Sequence, residues 1–298
     1  LHSISAQENN MKNNIIYSKL KKSRGASLIE LLVGITIGLM TIAAATGAVI
    51  VSRGLSGTVS DASQLQQQAS LAFRVLGQQI RQAGSIQLNL AAKKSATDPI
   101  DPRDVVAFPS LTDFPTLSGK DNPSTGEYKL TVGHQNYTES LLPTGAQASP
   151  FRDCVGAQMN PDVSTPSSLI VQSNFVLENS ELKCKGYGAA QPIIRNVADF
   201  QVNYLKQADA FEGEPTIQRA TAATLSASDW KQVFGIEICI TLYGDESIDL
   251  PSGSKYKDCE NNDVVITSLS DTTRKNKLHL TFKSVYQLRS QGMTSKIL

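Results

Sequence analysis

One carboxylate, Glu30, stands inside an apolar run from Ala26 to Val51 and is the only charge in it. The basic cluster Lys21-Lys22-Ser23-Arg24 and then Gly25 come immediately before that run. A charged side chain at the centre of a membrane helix costs at least ~2.5 kcal/mol. Glu30 lies near one end, so its cost is smaller but still calls for a partner. Four cysteines, Cys154, Cys184, Cys239 and Cys259, form the second reactive set. None belongs to a CxxC pair and the three histidines, His2, His134 and His279, are far apart, so zinc-site spacing is absent. Asp98, Asp101 and Asp104 recur every third residue and offer calcium-type oxygens, but without an EF-hand pattern they read as a solvated loop. There is no GxSxG, HExxH or phosphate-cradling glycine loop. The expectation is therefore a chain with no catalytic residues, no metal and no cofactor.

The elements that position Glu30 follow from hydropathy. The run from Ala26 to Val51 is long enough to cross a hydrocarbon core of ~30 Å at ~1.5 Å per residue. The formal charge of +1 divides into +4 on residues 1–25, five Lys or Arg against Glu8, and −3 on the remainder. Basic residues beside an apolar span predict a cytoplasmic leader, with everything after Val51 on the far side of the membrane. A net −3 after residue 25 gives no basic field to hold nucleic acid. Met11 is a plausible true start within the leader. An uncleaved signal anchor is an alternative, and so is an ordinary signal cut near Ala43-Ala44-Ala45.

Beyond Val51 the chain turns polar while Leu55, Val59, Ala62, Leu65, Ala69, Ala72, Leu76 and Ile80 keep a three-to-four spacing. Gln66, Gln67, Gln78, Gln79 and Arg81 fall mostly off that stripe. With no proline between Ala26 and Gly84, one continuous helix over 26–84 is predicted, membrane-spanning in 26–51 and amphipathic afterwards. The Gly34-xxx-Gly38 spacing suits close helix packing, and Gly47 marks a weak point in the helix. Residues 85–298 form the remaining domain. Prolines and small polar residues between 91 and 150 indicate loops, with candidate strands at Val105–Phe108 and Tyr128–Val132. Ser168–Val176, Ile193–Leu205, Ile236–Leu242 and Leu278–Phe282 read as strands, the last two alternating apolar and polar residues. Asn179-Ser180 reads as a turn, and Ala208–Asp229 as a loop with a short helix before Trp230. The fold class is α+β: a long N-terminal helix packed on an antiparallel sheet.

If the domain lies beyond the membrane, its thiols meet an oxidising compartment and pair. Four cysteines permit three connectivities. Cys154–Cys184 with Cys239–Cys259 is favoured, because each pair is sequential and closes a modest loop. Loops of about 30 and 20 residues would each contribute roughly 3–4 kcal/mol in the chain-entropy account.

The stretch from Lys21 to Gly34 resembles the type IV prepilin signature, a short basic leader ending in Gly, with Glu a few residues later in an apolar helix. The resemblance implies cleavage after Gly25 by a prepilin peptidase and N-methylation of Ala26. It also implies that Glu30 pairs with the terminal amine of a neighbouring subunit. A second, independent resemblance lies downstream. Asp153-Cys154-Val155-Gly156, Asn174-Phe175-Val176, Leu182-Lys183-Cys184-Lys185-Gly186 and Pro192-Ile193-Ile194 occur in that order. Asn196 to Tyr204, Asp229-Trp230 and the closing Val285 to Ser290 follow. This series is similar to the PilW family of minor type IV pilins, including cysteines placed around a strand. Membership implies an inner-membrane precursor with a periplasmic domain that later joins the pilus at the cell surface. Implied partners are the major pilin, other minor pilins, the pilus assembly machinery, a tip adhesin and membrane lipid. Implied roles are priming of assembly at the pilus tip, in service of twitching motility, adhesion or DNA uptake. The alternatives are a type II secretion pseudopilin, which shares the leader and helix, and a membrane-anchored binding domain that never polymerises.

Overall fold

The computed structural model describes residues 25, 27–85, 116–140, 145, 147–162, 164–207 and 216–288. Residues 1–24, Ala26, Asp98, Asp101, Asp104 and the candidate strand Val105–Phe108 lie outside that set. The chain divides into two compact units, Leu1–Arg53 and Gly54–Leu298. One helix, α1 (Leu28–Gln82), supplies elements to both. It stops because Gly84 takes φ +73°, a left-handed conformation that glycine adopts without a Cβ penalty. The Gly84 N–H then donates to the Gly133 carbonyl at 2.9 Å and ties the helix end to the sheet.

The strands, in chain order, begin with β1 (Leu117–Ser118), β2 (Leu130–Gln135), β3 (Glu139–Ser140) and β4 (Gln147–Ala148). There follow β5 (Ile170–Glu178), β6 (Glu181–Lys185), β7 (Gln191–Ile194), β8 (Val197–Gln207) and β9 (Ile217–Ala220). The last four are β10 (Val233–Ser247), β11 (Lys255–Lys257), β12 (Asp263–Val265) and β13 (Lys277–Gln287). They pair antiparallel into a five-stranded sheet ordered β1-β2-β5-β6-β7 and a four-stranded sheet ordered β13-β10-β8-β9. The β3–β4 and β11–β12 pairs are separate hairpins. A helix with an antiparallel sheet domain is the α+β class.

Within the second unit, Leu65, Ala69, Ala72, Leu76 and Ile80 of α1 are buried in one core with Leu130, Phe175 and Leu182 of the first sheet and Phe200, Ile236, Ile238 and Ile240 of the second. Burying each Leu or Ile contributes about 1.5–3 kcal/mol, and the alanines let backbones approach closely. Two positions depart from the predicted stripe. Val59 is exposed, because at that level of the helix the inward residue is Asp61, whose carboxylate accepts the Glu246 N–H at 3.0 Å. Gln79, expected outside, is 4% exposed and hydrogen-bonded in the core.

The sheet also differs from the sequence expectation in three places. The run Ile193–Leu205 is two strands in different sheets, because Asn196 turns the chain with φ +58°. Strand β10 is buried on both faces from Ile238 to Tyr243 rather than half-buried. Its second face is covered by the β11–β12 hairpin, where Cys259 bonds Cys239 and the Tyr256 ring stacks on His279 with centroids 4.4 Å apart. The segment before Trp230 holds the strand β9 and a short 3-10 turn, a second such turn (Asp229–Gln232) contains Trp230, and Trp230 meets Tyr204 edge-on at 4.8 Å.

Two substitutions test these backbone and packing assignments. Asn179 and Ser180 form a two-residue hairpin loop with φ of +53° and +59°, where a serine Cβ is disfavoured. Ser180→Gly is expected to raise unfolding stability by about 0.5–1 kcal/mol, read from the urea midpoint. A Cβ on Gly77 would come within 2.5 Å of Tyr286 Cε1, while the Tyr286 hydroxyl is held by the Phe73 carbonyl at 2.8 Å. Gly77→Ala is therefore expected to destabilise by about 1–2 kcal/mol, the clash outweighing the gain in helix propensity. Urea unfolding at fixed detergent concentration measures both.

Candidate functional site

At the start of α1 the Ser27 carbonyl accepts the Leu31 N–H at 3.1 Å and its hydroxyl accepts the Ile29 N–H at 3.3 Å. The first is the opening intrahelical bond, and the second satisfies one of the free donors of the first turn. Glu30 sits in that turn, where the helix dipole favours a negative charge. It is exposed and has no ion-pair partner among the described residues. Gly25 is exposed, and its neighbour Ala26 lies outside the described residues.

The helix from Leu28 to Ile50 spans 23 residues with a mean hydropathy of 2.2, and is long and apolar enough to cross a membrane. Leu28, Met40 and Ile50 are 71–77% exposed. The polar groups inside it are handled locally. The hydroxyls of Thr36, Thr41 and Thr46 donate to the carbonyls of Val33, Gly38 and Ile42 at 2.8–2.9 Å. Backbone and threonines are thus self-satisfied, as a non-aqueous surrounding requires. Among the described residues of this span, Glu30 is the one charged side chain.

The cysteine-bearing segments are built around a buried carboxylate. Asp153 is 3% exposed. Its Oδ1 accepts the N–H groups of Val155 and Ala157 at 3.0 and 2.8 Å, and its Oδ2 accepts the Tyr187 N–H at 2.8 Å. Gly156 turns the loop with φ +81°. A Cβ at Gly186 would overlap the Asp153 carboxylate, so glycine is required there by space. This arrangement sets Cys154 against Cys184, which are disulfide-bonded with Cα atoms 6.2 Å apart. Cys239 and Cys259 form the second disulfide at a Cα separation of 5.7 Å. The resemblance motifs around Cys154 and Cys184 therefore have a mechanical reason: an acid that caps a loop, and a glycine that makes room for it.

Helix α1 reads the same loop. Gln79 Oε1 accepts from the Ser173 hydroxyl at 3.0 Å, Gln79 Nε2 donates to the Arg152 carbonyl at 3.4 Å, and Ser173 Oγ accepts the Cys154 N–H at 3.1 Å. Beside it, Asn136 Nδ2 donates to the carbonyls of Met159 and Ser168, and Asn136 Oδ1 accepts from the Ser149 hydroxyl. His134 lies under this loop, 1% exposed and edge-on to Phe151 at 5.1 Å, with Nε2 unpaired among the described residues. None of Gln79, Asn136 or His134 announces its role in the sequence; only their burial reveals it. Among the described residues no three His, Cys, Asp or Glu side chains are grouped to hold a metal ion.

No protein-family model matches the chain, and no curated protein matches it. Among solved structures, it is similar to a type IV-like pilin from Thermus thermophilus over 75% of this chain and 96% of that one. The sequence identity is 12% and the TM-score 0.36, a likeness too loose to carry an argument.

Burial pushes His134 down to about 4 from its ordinary 6.5. A histidine with a folded-state value below the unfolded one stabilises the fold fully above pH ~6.5, and that contribution is lost as pH falls towards 4. The slope is at most about 1.4 kcal/mol per pH unit. Urea unfolding of the wild type is expected to lose roughly 2 kcal/mol more between pH 7 and 4.5 than His134→Phe does. Equal losses would acquit His134.

Proposed function

We propose that the chain is a minor type IV pilin of the PilW kind. It is made as a membrane-anchored precursor, cut after Gly25 by a prepilin peptidase and N-methylated on Ala26. The helix from Leu28 to Ile50 holds it in the inner membrane, with the disulfide-framed domain in the periplasm. It then joins the major pilin and other minor pilins, primes assembly and occupies the pilus tip. It acts as a structural subunit with no enzymatic step of its own.

The observation that carries this reading is the state of Glu30. It is a lone carboxylate in the first turn of an apolar 23-residue helix, unpaired among the described residues and five residues after Gly25. A mature terminal amine, with an ordinary pKa of ~8, is mostly cationic at neutral pH and is the chemistry that matches it. Inside a low-dielectric bundle such a pair sets register, because a misregistered helix strands a charge. The order of Asp153, Cys154, Gly156, Cys184 and Gly186 supports the PilW assignment, since the loop clamp uses all five.

Intact mass of the protein purified from its native membrane is expected to match a species beginning at N-methyl-Ala26. An unmethylated start, or a cut near Ala45, overturns the reading. Glu30→Ala is expected to leave cleavage unchanged while the subunit disappears from sheared filaments, scored by mass spectrometry.

A further inference from the structure

In the second unit, a groove of about 780 Å³ runs between one flank of α1 and the end of β13. Arg74, Gln78 and Arg81 line it from the helix, at spacings of four and three that make one stripe, and Tyr286, Gln287 and Leu288 line it from the strand. Arg81 stands over the Tyr286 ring at 5.5 Å, and neither arginine has an ion-pair partner among the described residues. No acidic residue lines the groove.

Strand β13 is an edge of its sheet. The Leu288 N–H donates to the Phe234 carbonyl at 2.8 Å, which fixes the phase of the ladder. Tyr286 and Ser284, opposite Ile236 and Ile238, are then the residues bonded to β10. The backbone groups of Lys283, Val285 and Gln287 point outward, with no partner among the described residues. The β11–β12 hairpin reaches this edge only near Thr281, through the Lys257 carbonyl. Val285 is 58% exposed beside it. An open run of backbone donors and acceptors is a template for another strand unless it is blunted, and Lys283 is the one charge on that stretch.

The geometry points to this groove as the docking site for an extended, acidic segment of another polypeptide, which adds a strand beside β13. Its backbone would pair with Lys283, Val285 and Gln287, and its carboxylates would meet Arg74 and Arg81. Charge selects the occupant. Residues 289–298, which follow the groove in sequence, carry Arg289 and Lys296 and no acid, so their side chains do not complement the two arginines. The inference is independent of whether the chain polymerises.

The test is a titration of the isotope-labelled full chain in detergent micelles with a capped decapeptide of alternating Thr and Val carrying three Asp. A peptide with Lys in place of Asp is the control. Saturable shifts and slowed amide exchange at Lys283, Val285 and Gln287 are expected with the acidic peptide alone. Affinity should fall at least tenfold in Arg74→Glu/Arg81→Glu. Val285→Pro removes an outward N–H while sparing the bonds to β10, and should abolish the shifts with near-UV circular dichroism retained. The proposal is overturned by absence of saturable shifts in a folded protein, equal binding of the Lys peptide, shifts at Ile217–Ala220 instead, or binding only after removal of residues 289–298.

Discussion

The packing of one helical stripe against two sheets at once is the constraint on which the domain depends. Leu65, Ala69, Ala72, Leu76 and Ile80 share a core with residues of both sheets. The sheets have no strand in common, and their apolar faces share one interior with the helical stripe. Gln79 adds direction to that apolar contact. A hydrophobic stripe tolerates sliding by small amounts, whereas hydrogen bonds to Ser173 and to the Arg152 carbonyl do not. Asp61 does the same nearer the start of the unit, through the Glu246 amide. Two polar pins at different heights therefore fix the axial position of an otherwise greasy rod.

The disulfides lock elements that this packing leaves less well held. Cys154–Cys184 joins a loop without strands of its own to β6, and Cys239–Cys259 joins a small hairpin to the central strand β10. By closing loops of 30 and 20 residues, both cross-links reduce the conformational entropy of the unfolded chain. Asp153 complements the first of them. Three backbone donors converge on one buried carboxylate, so the loop is ordered by hydrogen bonds as well as by sulfur.

Much of this was legible in the sequence wherever periodicity is long and uninterrupted. The helix, its end near Gly84, the Asn179-Ser180 turn and the strands ending in β10 and β13 all follow from spacing and turn chemistry. Reading failed where a neighbour distant in sequence decides the environment. Glutamine at position 79 looks like solvent-facing material until Ser173, 94 residues away, is placed beside it. The polar-looking face of β10 is interior because a hairpin some 20 residues later folds over it. Asn196 breaks a run of apolar residues that composition alone joins into one strand. The groove beside β13 was invisible for the same reason: Arg74 and Gln287 meet only through tertiary structure.

The back-bonded threonines of the apolar helix carry a wider meaning. Because Thr36, Thr41 and Thr46 spend their hydroxyl protons on carbonyls of the preceding turn, this segment presents the same surface to hydrocarbon tails and to apolar side chains. It has no polar preference between the two, so moving from one to the other is close to an exchange of like for like. All the discrimination is concentrated at one carboxylate near the end. Such a helix carries its formal charge at one end of an apolar span, so the cost of burying it in a dry surrounding depends on whether a positive charge meets Glu30 there.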